Sequence, residues 1–257
     1  MLAAICRSRG SLLTLQHESL SRANYLKPVA KPKKTRPGEG SCVYCGSTTQ
    51  ITREHVFPKN LFPPPRPNLI TVPACERCNK SFDQDDEYFR VFVVTPAFQD
   101  PTGRQMWDEK VFGSTLRRSP KLKKTLVDSL RKVEFKSPGG IYLGYHHEIA
   151  FNRSRVDRII EKSVRGLYRH HLGCRLRSKS SFDIIFNPKF EKLKAIGLVA
   201  DFGPPIRIGD GKVVQYRFAY ASESPEHSIW WLMFYGTTNV IVLVNAEEPE
   251  GSPQEEI

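Results

Sequence analysis

Four cysteines fall into two CxxC pairs, Cys42/Cys45 and Cys75/Cys78, and they constrain the fold more than any other feature of the chain. Each pair can clamp one side of a tetrahedral zinc, so a shared ion would pin everything between the pairs. The intervening 29 residues exceed the roughly 15 to 20 of the common ribbon spacing, and an inserted hairpin accounts for the excess. Two local disulfides or four unrelated cysteines are the competing readings. Six cysteines in 257 residues are too few for a disulfide scaffold, and the paired spacing favours a reducing, cytoplasmic compartment and a closed, structural Zn2+. Cys6 and Cys174 have no local partner and receive no role.

A formal net charge of +12 gives the chain a long-range attraction for polyanions, of which nucleic acid is the commonest. A generically soluble basic protein is the plainer reading. No apolar stretch approaches the roughly 20 residues of a spanning helix. Residues 1–39 are rich in Arg, Lys and Ser; they read as a disordered basic arm, with an organelle transit peptide as the other possibility. Residues 247–257 read as an acidic disordered tail.

The cysteine module is expected at 40–95. Gln50 to Phe57 and Leu69 to Val72 read as strands, separated by the irregular Phe62-Pro63-Pro64-Pro65-Arg66-Pro67. From Cys78 onward Phe82, Tyr88, Phe89, Val91 and Phe92 suit one helix with an acidic first part, Asp83 to Glu87. Pro96 to Gly103 reads as a linker, followed at 104–246 by a second α+β domain of unknown role. There, Leu122, Leu126, Val127, Leu130 and Val133 form one helical stripe and Val156 to Tyr168 another, with Gly173 as its stop. Ile141 to Ala150, Ser181 to Phe186, Val213 to Ala219, Ile229 to Tyr235 and Val240 to Val244 read as strands of an antiparallel sheet.

The segment CVYC, REHVFP and NLITVPACERCNK, residues 42 to 80, resembles the HNH, or His-Me finger, endonucleases of the treble-clef zinc type. The resemblance implies a ββα-metal module around one catalytic ion, with the four-cysteine zinc as a separate stitch. In its terms His55 looks like the base that activates water and Glu54 like the adjoining metal-binding acid. Asn68 resembles the asparagine that orients the base, and Asn79 the last letter of the motif, a metal ligand. The chain departs from the common pattern at two positions, with Glu54 in place of Asp and Asn79 in place of His. Mg2+ or Mn2+ suits the oxygen ligands, and Arg53, Lys59 and Lys80 are candidate phosphate contacts.

The chemistry is coherent on its own terms, because a neutral imidazole can take a proton from water near pH 7 and a hard cation can stabilise charge on a phosphate. A lone Glu-His pair is more often an exposed strand end; its place between the cysteine pairs is what raises it above that. His146-His147 read as structural or exposed, and His170-His171 as helix-end cations favoured by the dipole. The acidic run Asp83 to Glu87 reads as a solvated helix face, and the lysine-rich helix at 121–132 equally as a DNA guide or as solvated. The expected function is metal-dependent hydrolysis of DNA phosphodiesters, leaving 5′-phosphate and 3′-hydroxyl ends as the resemblance implies. The alternative is a catalytically silent, zinc-dependent nucleic-acid-binding module.

Overall fold

The computed structural model describes residues 40–189, 202–221 and 224–245, with the side chains of His146 and His147 excepted. The expected basic arm and acidic tail lie outside the described residues. The fold is α+β, with antiparallel sheets. Strands β1 (Ile51–His55) and β2 (Thr71–Cys75) pair with His55 opposite Thr71 and Ile51 opposite Cys75. Cys75 then starts α1 (Glu76–Lys80), and α2 (Asp83–Val94) follows. The single helix expected from Cys78 is thus two, broken at Ser81 and Phe82.

Residues 96–103, expected as a linker, are helical. A short turn at Pro96–Gln99 leads into α3 (Pro101–Met106), which runs through a π-helical stretch, Trp107–Thr115, into α4 (Leu116–Arg118). Both prolines sit at first helical positions, where the missing N–H costs nothing, and the Asp100 side chain caps α3 by accepting from the Gly103 amide at 2.9 Å. Proline read as punctuation here marks helix starts. The next helix, α5 (Pro120–Asp128), is shorter than its apolar stripe suggested, and Val133 belongs to β3 (Arg131–Lys136). Of that stripe Leu126 is buried while Val127 and Leu130 are exposed.

β3 pairs with β4 (Tyr142–Glu148) as a two-stranded ribbon carrying exposed Phe135, Tyr142, Leu143 and Tyr145. The 20-residue α6 (Arg153–Leu172) is capped by Asn152 and ends at Gly173, whose φ of 72° is the left-handed stop its sequence predicts. Strands β5 (Ser181–Phe186), β6 (Ile206–Ile208), β7 (Val214–Tyr220), β8 (Ser228–Phe234) and β9 (Thr238–Asn245) form one antiparallel sheet in the order β5-β9-β8-β7-β6. Of these five strands only the short β6 was not expected.

One apolar core joins these parts. Phe57, just after β1, packs its ring against Tyr216 and Phe234 of the sheet, at 6.2 and 6.0 Å between centroids. Phe89 of α2 meets Phe234 at 5.2 Å. The buried Tyr235 hydroxyl donates to the Leu61 carbonyl, tying the proline-rich connection to the sheet. The loop that leaves His55 is therefore anchored by residues from the far end of the chain.

Candidate functional site

The Sγ atoms of Cys42, Cys45, Cys75 and Cys78 lie within 4.8 Å of one another, a group that can hold a metal ion. The first pair sits on a tight knuckle: the Cys42 amide donates to the Ser47 carbonyl at 2.7 Å and the Gly46 amide to the Cys42 carbonyl at 2.8 Å. Gly46 has a φ of +82°, a conformation that side chains strain to reach. The second pair comes from the N-terminal turn of α1. A hydrogen bond from the Ser47 backbone lowers the Cys45 thiol to about 6, whereas burial raises Cys78. Four converging thiols with one easily ionised member are a donor set that suits zinc, whose positive charge would let the remainder ionise.

On β1, neighbouring side chains diverge as a pleated strand requires. Glu54 is buried towards α6, while His55 is half-buried. Desolvation and the nearby cations Lys59, Lys162 and Arg66 lower the His55 pKa from its ordinary value, which keeps the imidazole neutral at neutral pH.

Lys162 of α6 is the residue that sequence reasoning missed. Its side chain has no exposure, and its ammonium meets Glu54 Oε1 at 2.5 Å and the two Asp86 oxygens at 3.1 and 3.0 Å. Burial raises the pKa of both Glu54 and Asp86, and the lysine opposes that shift in each. The signal was present in the sequence: Lys162 stands among Ile159, Ser163 and Gly166 on the buried stripe of an amphipathic helix. A lysine there needs a partner.

Of the acidic run of α2, expected as a solvated face, Asp83 is exposed as expected, whereas Asp85 and Asp86 dock onto α6. Asp85 accepts from Arg155 Nε at 2.5 Å and Arg158 Nη1 at 2.7 Å, and Arg158 Nη2 reaches Ser81 Oγ at 3.0 Å. Asp83, Asp86 and Glu87 also line an open cleft of about 370 Å3 with Lys59, Asn60 and Gln84.

Asn79 turns its amide to β1, donating to Thr52 Oγ1 at 2.9 Å and to the Arg53 carbonyl at 3.3 Å. Thr52 in turn donates to the Ala74 carbonyl at 2.9 Å, so α1 is fastened across both strands of the hairpin. Asn68 is exposed in the turn before β2, with a φ of +58° that asparagine tolerates better than most residues. Arg53 and Lys59 are exposed, and Lys80 forms a surface pair with Glu76 at 2.5 Å.

At His170 and His171, expected as helix-end cations, burial instead disfavours the charged form. Burial lowers both, and pulls His171 down to about 4; its Nε2 lies 2.8 Å from the Tyr216 hydroxyl and its ring 4.2 Å from that of Phe218. No family model, curated protein or solved structure matches the chain. Among the described residues no helix is long and apolar enough to cross a membrane.

Proposed function

We propose that the chain is an HNH-type endonuclease that hydrolyses nucleic-acid phosphodiesters, DNA first, with His55 as general base and the four-cysteine group holding a structural zinc. The observation that carries this reading is a half-buried imidazole at the end of a hairpin bracketed by four converging cysteines, its pKa lowered by desolvation and by Lys59, Lys162 and Arg66. A neutral base among cations is poised to take a proton from water beside a bound phosphate. The resulting hydroxide attacks phosphorus, the bond to the 3′ oxygen breaks, and that oxygen takes a proton from solvent water to leave as a 3′-hydroxyl opposite a 5′-phosphate, while the imidazolium of His55 returns its proton to solvent. Lys59, at the start of the following loop, and the exposed Arg66 supply charge to the phosphate. Arg66 is steadied by donating from Nε to the Phe62 carbonyl at 2.7 Å.

The resemblance also implies Mg2+ or Mn2+ on Glu54 and Asn79. As arranged, Glu54 does not fit such an ion, because its carboxylate is taken by Lys162; the bonds that hold Asn79 to β1 run from its Nδ2. No step is therefore derived through a divalent ion. The same ion pair favours the second reading, a zinc-dependent nucleic-acid-binding module without catalysis. Incubating zinc-loaded protein with end-labelled DNA and RNA, with and without Mg2+ or Mn2+, separates them. Cleaved product bearing 5′-phosphates supports the nuclease, and retarded but intact nucleic acid supports the silent module.

A further inference from the structure

We infer that Lys162 is the resident cation of the Glu54 site, filling the place of a divalent ion so that this carboxylate takes no metal. The inference rests on reading Glu54 and His55 as parts of one site. Three observations carry it. The ammonium is fully enclosed and meets both carboxylates at hydrogen-bonding distance. Phe82 roofs it, with Nζ 4.8 Å from the ring centroid, which closes that side to water ligands. Its helix is fixed in place, because Arg155 and Arg158 clamp Asp85 and Gly166 lies against Val56.

A divalent ion at Glu54 would have to evict this lysine, which would lose both of its carboxylates, or sit beside a like charge in a dry setting. Either alternative is strongly unfavourable, because it leaves a buried charge without its compensation. Magnesium also demands near-octahedral oxygen coordination with several retained waters, and at Glu54 the Lys162 ammonium already stands 2.5 Å from Oε1. The lysine thus neutralises Glu54 behind His55, and the charge offered to a phosphate comes from the exposed cations Lys59 and Arg66.

Mn2+ serves as the probe, because its free-ion electron paramagnetic resonance signal falls on binding and no substrate is needed. The zinc-loaded full chain should bind Mn2+ no tighter than about 1 mM, as expected of the surface carboxylates Asp83 and Glu87, and Glu54→Gln should change nothing. Lys162→Ala should bind one Mn2+ at least about tenfold tighter, with a rise in Tm on adding Mn2+ that Lys162→Ala/Glu54→Gln lacks. One micromolar Mn2+ site in the wild-type chain, abolished by Glu54→Gln, would overturn the inference. A folded Lys162→Ala that gains no Mn2+ affinity would do the same. If Lys162→Ala does not fold, the wild-type titration decides alone. Loss or absence of nuclease activity touches neither readout, so the two readings fail separately.

Discussion

Replacing Gly166 with alanine would press α6 against the residue that follows His55. A Cβ at that position would lie 2.8 Å from Val56 Cγ2 and 3.2 Å from Cγ1, inside the contact distance of about 3.5 to 4.0 Å for carbon pairs. Val56 has no exposure and is β-branched, so it has little rotamer freedom with which to retreat. Overpacking of this kind costs about 1 to 3 kcal/mol, while alanine in place of glycine inside a helix returns about 1 kcal/mol. The balance is a net loss of about 1 kcal/mol, or a fall in Tm of about 2 to 4 °C for a domain of this size. Since Val56 adjoins His55, cleavage should fall along with stability. Urea melts followed by far-UV circular dichroism would measure the change. A variant stabilised by about 1 kcal/mol, the helix-propensity gain alone, would refute the close approach of α6 to β1.

The remaining predictions concern acid and zinc. His171 is pulled down to about 4 by burial, against an ordinary value of about 6.5, so the unfolded chain binds the extra proton more readily. The stability it supports is complete above pH 6.5 and is lost as pH falls towards 4. By linkage that loss is about 2 kcal/mol between pH 6.5 and 5. His171→Phe should lose less over that interval, and equal losses in paired urea melts at pH 7 and 5 would contradict the assignment. The sign for His55 is the same: its neutral form should persist below the usual imidazole range, so the acid limb of the cleavage profile should lie below about pH 6.5; a limb above that would exclude it as the base. Cys78→Ser or zinc chelation should remove folding energy on the order of 10 kcal/mol, enough to unfold the hairpin. Elemental analysis should find one zinc per wild-type chain, and a metal-free, fully folded chain would refute the structural zinc.

Much of the architecture was legible because it follows periodicity and punctuation. The α6 stripe and its Gly173 stop, and the alternating strands β7 to β9, are patterns that local sequence carries. Several of the misses depended on a partner distant in sequence. Asp85 and Asp86 look like part of a solvated acidic face until α6 brings Arg155, Arg158 and Lys162 against them. Pro96 and Pro101 look like breakers until the helices they begin are seen. At the candidate site, the cysteine pairs mark a group that could hold a metal by spacing alone, whereas Lys162 becomes visible only as a charge on a stripe that should be apolar. His171 was expected to be charged because the helix dipole is local, yet the burial that keeps it neutral comes from β7 and β8.

The central claim is that His55 hydrolyses phosphodiesters within a zinc-held hairpin, and a comparison of wild type with His55→Ala at matched zinc content tests it most directly. Single-turnover cleavage of end-labelled nucleic acid, with binding followed in parallel by anisotropy, should give equal affinity but a loss of about 100-fold or more in rate, the scale set by removing a general base. Wild-type cleavage undiminished in His55→Ala, or no cleavage by either protein despite tight binding, would contradict the account.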